Sequence, residues 1–160
     1  MRHMAEDTQA IIVDYQEKLM PVIFEKEQLE KNSVILIKGL KALGVPMPLT
    51  QQYTRGIGMT IPSVFEAAET EEYMDKTTFS CYDDAAIKAR VDSLGKKTVI
   101  VCGIEAHICV LQTCIDLKTA GYEPVLVVDC ISSRRASDKE IAVKRAIHEG
   151  ITVTRRFYLS

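Results

Sequence analysis

Apolar residues gather along this chain in short unbroken runs, and longer stretches with helical spacing separate them. Ala10–Val13, Thr98–Cys102 and Pro124–Val128 are almost wholly apolar, the pattern of strands covered on both faces. Pro48–Tyr53, an extended piece within Tyr73–Phe79 and the segment Ile151–Thr154 predict shorter strands. Glu25–Leu43 carries Leu29, Val34, Ile37 and Leu40 at helical spacing and meets a stop at Gly44 and Pro46. Asp83–Leu94 opens on an acidic first turn and ends at Gly95, and His107–Thr119 ends before Gly121. Ser137–His148 predicts a last helix with Ser137 as N-cap and Gly150 as stop. Thr54–Pro62, with Gly56, Gly58 and Pro62, reads as a loop. Strands alternating with helices predict βαβ units: a three-layer α/β/α sandwich, Rossmann-like, around a mostly parallel sheet of about six strands.

Composition narrows the function classes. A chain of 160 residues is the size of one domain, taken as residues 1–160, and 47% apolar with 26% charged residues is enough to build a core. The net charge is -2 and the basic residues are scattered apart from Arg134-Arg135 and Arg155-Arg156, which predicts no nucleic-acid partner. No stretch approaches the roughly 20 apolar residues of a membrane span, so no membrane partner is expected. The N-terminus lacks the apolar run of a secretory signal, which predicts a cytoplasmic protein. Five cysteines, an odd number without C-x-x-C spacing, speak against a disulfide framework or a structural zinc site and predict free thiols.

In open α/β sheets ligands bind beyond the carboxyl ends of the strands. The residues there are Asp14, Tyr53, Lys76, the segment Gly103–Cys109 and Asp129. Cys109 falls at the start of the helix after the strongest strand, where the helix dipole lowers a thiol pKa, whereas Cys102 and Cys114 read as core. Taken singly, Asp14 is as easily a cap and Lys76 a solvated surface residue. Together with a thiol they form a base, a cation and a nucleophile. Other motifs fail on chemistry. Gly56-Ile57-Gly58 lacks the third glycine of a dinucleotide fingerprint, with Ile61 in its place. His3, His107 and His148 are too dispersed for a metal site, and a His107–Cys109 dyad is a weaker alternative.

Those residues also carry a family resemblance. Asp14-Tyr15-Gln16-Glu17-Lys18-Leu19 resembles the D-x-Q-x-x-L segment after the first strand of isochorismatase-like cysteine hydrolases. Lys76–Ser80 resembles their lysine segment, Gly103–Val110 their cysteine loop, and Asp129–Arg134 the segment after their fifth strand. Gln52-Tyr53 with Gly56-x-Gly58 and Ile61-Pro62 is similar to a subgroup of uncertain substrate. The resemblance implies a catalytic triad of Asp14, Lys76 and Cys109, a cis peptide between Ile104 and Glu105, and an oxyanion hole from the N–H groups of Glu105 and Cys109. It also implies a small-molecule substrate and a homo-oligomer. Nicotinamidases of the family hold a metal after the second strand, where this chain has Gln51-Gln52-Tyr53-Thr54, so no metal and no other cofactor is expected. Tyr15, Tyr53 and Phe79 are candidate substrate-binding residues. Isochorismatases proper cleave a vinyl ether with the aspartate as acid and need no cysteine, so Cys109 points to amide hydrolysis. Vinyl ether hydrolysis and a non-catalytic binding or assembly role remain the alternatives.

Overall fold

Two of the apolar runs become the centre of the sheet. A computed structural model describes residues 3–156, in which β1 (Thr8–Val13) and β4 (Thr98–Ile104) are buried along their whole length. Around them lie β2 (Leu49–Gln52), β3 (Met74–Lys76), β5 (Glu123–Ser132) and β6 (Thr152–Thr154), in the order β3-β2-β1-β4-β5-β6. Every pairing is parallel, as a sheet covered on both faces requires. The observed architecture is the expected α/β sandwich.

Side chains of a strand alternate between faces, so each apolar run feeds two cores. Ala10, Ile12, Ile100 and Cys102 pack with α1 (Lys26–Ala42), through Leu29, Leu36, Ile37 and Leu40. Ile11, Val13, Val99 and Val101 pack on the other face, with Ile87 and Val91 from α4 (Ala85–Leu94), Leu117 from α5 (Leu111–Thr119), and Ala142 and Ala146 from α6 (Ala136–His148). Each fully buried Leu, Ile or Val side chain contributes about 1.5–3 kcal/mol.

Several local expectations shift. The predicted loop contains a short helix, α2 (Thr54–Ile57), and runs into α3 (Pro62–Ala68), with Pro62 in the first turn, where its missing N–H costs nothing. The helix expected to begin at Asp83 starts after Asp84, whose carboxylate accepts from the Ile87 N–H at 3.0 Å. α6 begins after Arg135 without a side-chain cap, so Ser137 lies inside the first turn and is not the N-cap. β5 does not close at Asp129 but continues to Ser132, with a register irregularity against β4 between Val101 and Gly103. Asp129 therefore stands within a strand, and its carboxylate accepts from the backbone N–H and side chain of Arg156 at 3.1 and 2.5 Å, not in the crevice.

The strand order reverses direction between β1 and β4. From β1 the chain proceeds outward to β2 and β3, then returns to β4 on the other side and continues to β5 and β6. A crevice at the carboxyl ends of these two strands is the topological switch point.

Candidate active site

Asp14 follows β1 directly and takes a left-handed conformation (φ 53°), which aspartate tolerates better than most residues. Its N–H donates to the Thr50 carbonyl at 3.2 Å and its carbonyl accepts from Gln16 N–H at 2.7 Å, so the backbone turn is held from both sides. The side chain is fully buried. Oδ1 accepts from Thr50 Oγ1 at 2.8 Å and Oδ2 from Lys76 Nζ at 2.9 Å.

Lys76 ends β3, two strands from β1, and its long side chain reaches past β2 to Asp14. The residue is 1% exposed. Besides Asp14, its ammonium contacts Gln52 Oε1 at 2.7 Å, the carbonyls of Thr78 and Phe79 at 3.0 and 3.1 Å, and Cys109 Sγ at 3.7 Å. Three hydrogens serve five acceptors, so none is left for another group. Burial by itself would lower the Lys76 pKa, but the carboxylate of Asp14 and the thiols of Cys81 and Cys109 outweigh it and raise the value. The group is held as a cation.

The third residue arrives from β4 by way of Gly103 (φ 132°), where a Cβ would run into the Val13 carbonyl of β1. Only glycine lets the two central strands approach so closely at the crevice. The Ile104–Glu105 peptide bond is cis. A single π-helical turn, Ala106–Val110, follows and leads into α5. The Glu105 carbonyl accepts from the N–H groups of Ile108 and Val110 at 3.1 and 3.2 Å. Cys109 sits in that turn, 7% exposed, with its Sγ 3.7 Å from Lys76 Nζ.

The thiol is not acidified, contrary to the expectation from its helix-start position. Burial strips water from Sγ and the adjacent Asp14 carboxylate repels a thiolate, and both push the Cys109 pKa well up against the opposing pull of Lys76. Asp14 and Lys76 neutralise each other at 2.9 Å, which leaves little net positive field for the sulfur. The resting side chain is a neutral thiol beside a carboxylate able to take its proton.

Tyr15 is not a pocket residue. It is 1% exposed, packs in the core beneath α1, and bonds through its hydroxyl to Ser33 Oγ at 2.7 Å and the Cys130 carbonyl at 2.8 Å. Alternation along the chain turns it away from its neighbour Asp14. Tyr53 and Phe79 are 53% and 55% exposed, while their backbones touch Lys76 through the Tyr53 N–H and the Phe79 carbonyl. The Glu105 carboxylate accepts from the Arg134 N–H at 3.3 Å, with the guanidinium at 3.5 Å. His107 faces Ser133 Oγ at 2.8 Å and Asp138 at 3.9 Å, so the alternative Cys–His dyad does not form.

Three polar residues about the site have a part that the sequence alone does not assign. Thr50 and Gln52 point to the same face of β2, two positions apart, and bind Asp14 and Lys76 respectively. Gln16 ties the loop after β2 to the sheet, donating to the Gln52 and Gly58 carbonyls and accepting from the Gln52 N–H. The period of two along Thr50-Gln51-Gln52 is the signal that could have found the first pair.

A metal does not fit after β2. The Gln51 side-chain Oε1 accepts from Thr60 N–H and Oγ1, both at 2.8 Å, its Nε2 donates to Thr54 Oγ1, and the Gln52 Oε1 faces the Lys76 ammonium. Among the described residues no group of three or more His, Cys, Asp or Glu side chains could hold a metal ion. Two cavities of about 730 and 820 Å³ lie elsewhere, one beside Val45, Leu49, Tyr73 and Arg90, the other beside Glu17, Met59, Phe65 and Glu69. Neither contains a residue of the triad. Among the described residues no helix is long and apolar enough to cross a membrane.

Comparison with known proteins fits this geometry. Isochorismatase domain-containing protein 2 of Danio rerio is 34% identical over 142 residues, spanning 88% of this chain and 71% of that protein. The structure of MAR1 ribonuclease from Caenorhabditis elegans is 34% identical, with a TM-score of 0.88 over 98% of this chain and 81% of its own. The YcaC gene product of Escherichia coli, described as an octameric hydrolase of unknown specificity, shares the fold at 21% identity, with a TM-score of 0.92 over 99% of this chain and 80% of its own. The Isochorismatase domain pattern matches residues 8–156, so with its strand order and crevice this chain belongs to the isochorismatase domain family.

Proposed function

We propose that the protein is a single-domain cytoplasmic amidohydrolase in which Cys109 is the nucleophile, Asp14 the general base and Lys76 the fixed cation. One observation carries this most directly: within a water-excluded crevice, Lys76 Nζ touches both Asp14 Oδ2 at 2.9 Å and Cys109 Sγ at 3.7 Å. In the reaction, sulfur attacks the amide carbon as Asp14 takes the thiol proton. The Lys76 charge stabilises the developing thiolate. The N–H groups of Glu105 and Cys109 receive the tetrahedral oxyanion. Collapse expels the amine, which leaves with the proton from Asp14. Water, deprotonated by the same carboxylate, then cleaves the thioester and frees the acid, and the proton on Asp14 passes to the departing Cys109 sulfur.

Localisation in a reducing compartment is supported by five free thiols, all buried. Assembly is part of the proposal: Tyr53 and Phe79, which adjoin Lys76 through their backbones, leave more than half of their surface exposed for a neighbouring copy to cover. Light scattering then gives a multiple of 17.9 kDa. A phosphodiester substrate, which the name of the nematode relative suggests, needs free cationic hydrogens, and those of Lys76 are all engaged.

The test is ammonia release from a panel of small amides. Cys109→Ala and Asp14→Asn each abolish turnover of any hydrolysed amide, and the double variant is little worse, since the two act as a unit. Activity surviving in Cys109→Ala sinks the covalent route and leaves acid chemistry through Asp14 alone. Absence of turnover together with five equally slow thiols supports a binding or assembly protein instead.

A further inference from the structure

Cys81, a second thiol beside Cys109, Asp14 and Lys76, is fully buried at the start of the turn before α4 and takes no part in the proposed reaction. It stands at the origin of two hydrogen-bond chains. Its Sγ donates to Thr50 Oγ1 at 3.8 Å, and Thr50 Oγ1 donates to Asp14 Oδ1 at 2.8 Å. Its backbone N–H donates to Thr113 Oγ1 at 2.8 Å, and Thr113 Oγ1 donates to the Cys109 carbonyl at 2.6 Å.

The directions of these bonds are forced. A threonine hydroxyl has one hydrogen, and a carboxylate or a carbonyl can only accept. Each hydroxyl proton is therefore committed to the triad residue, and each oxygen must receive its second bond from Cys81. Thr50 and Thr113 are 1% and 0% exposed, so no water competes for them. A threonine hydroxyl bonded to the carbonyl four residues earlier is common within helices. Here the same oxygen also receives an N–H from a different element, which joins the π turn to the segment after β3.

We infer that Thr50 and Thr113 are positioning residues, fixing the base Asp14 and the nucleophile turn of Cys109 against one common anchor, Cys81. The inference rests on the proposed roles of Asp14 and Cys109. Thr50 also stabilises the charged form of the carboxylate, whereas Thr113 acts on geometry alone. Losing the first hydroxyl changes how tightly the base holds a proton; losing the second changes only where the sulfur points.

The experiment follows iodoacetamide alkylation of Cys109 by peptide mass spectrometry from pH 5 to pH 10, in the full chain and without a substrate. Thr50→Val moves the acidic limb of the rate profile up by about one pH unit, because a carboxylate that has lost a donor binds its proton more tightly. Thr50→Ala gives the same shift and serves where the valine variant does not fold. Thr113→Val lowers the rate about tenfold at every pH and leaves the limb in place. Serine at either position restores the wild-type profile. Thr50 variants that superimpose on wild type, or a Thr113→Val profile that shifts, overturn the inference alone. Wild-type Cys109 reacting no faster than Cys102 or Cys114 overturns the nucleophile itself, and the inference with it.

Discussion

Replacing Lys76 by methionine keeps most of the side-chain length but deletes the buried charge. At the 2.9 Å separation of Nζ and Asp14 Oδ2, with an effective dielectric of about 20, the lost attraction is about 6 kcal/mol. Part of it returns because the variant no longer has to desolvate an ammonium, and breaking one side of a buried pair typically costs about 3–5 kcal/mol net. In a domain of this size that lowers the melting temperature by roughly 6–20 °C at pH 7. The deficit also has a pH signature. The stranded Asp14 carboxylate keeps only Thr50 as donor and relieves its cost by taking up a proton in the folded state. Its affinity for that proton then exceeds the unfolded value, so the folded variant is favoured below about pH 4 and loses that advantage as pH rises. Urea titrations from pH 4 to pH 8 should show the gap to wild type widening with pH. A gap that stays constant, or a Lys76→Met protein as stable as wild type at pH 7, would show that Lys76 and Asp14 do not form the pair on which the site depends.

Gly103→Ala forces a Cβ into the Val13 carbonyl at a positive φ and should cost at least about 2 kcal/mol by denaturant titration; a neutral effect contradicts the close approach of β1 and β4. Tyr15→Phe removes a buried hydroxyl bonded to Ser33 and the Cys130 carbonyl, with a loss of about 1–3 kcal/mol in stability and an unchanged KM, whereas a raised KM would return Tyr15 to the substrate pocket. Burial pushes the Cys81 and Cys102 thiols up to about 11 and about 12, above the unfolded value of about 8.5. That contribution is whole below the unfolded value and is lost as pH climbs through the folded ones, so the unfolding midpoint should fall between pH 9 and pH 11 in wild type and less in Cys102→Ala.

Much of the fold is readable because burial on both faces leaves a local trace. A strand such as Ala10–Val13 must be apolar at every position to serve two cores, and helix stops at Gly44 and Gly95 are written in single residues. The ends of those strands then point to Asp14, Lys76 and Cys109. What local pattern misses is polar residues whose partners are distant in sequence. Asp129 looks like the end of β5 because a carboxylate inside a strand is costly, yet Arg156 satisfies it from 27 positions away. The protonation of Cys109 departs from its local pattern for a related reason. A helix start favours a thiolate, but the burial and the neighbouring carboxylate that reverse the effect exist only in the folded chain. Tyr15 follows the same logic, since which face an aromatic residue takes after a left-handed turn is settled by the turn and not by composition.

The two edges of the sheet, β3 and β6, are three residues long each, against seven and ten for β4 and β5. Edges that short present few free ladder groups to another chain, which is how natural sheets discourage uncontrolled strand addition. An assembly of identical subunits built on this fold cannot lean on extending the sheet from one copy into the next. It must be cemented by helices and loops, so its geometry is set by side-chain fit, and substitutions on those surfaces can change the number of subunits without disturbing a single strand.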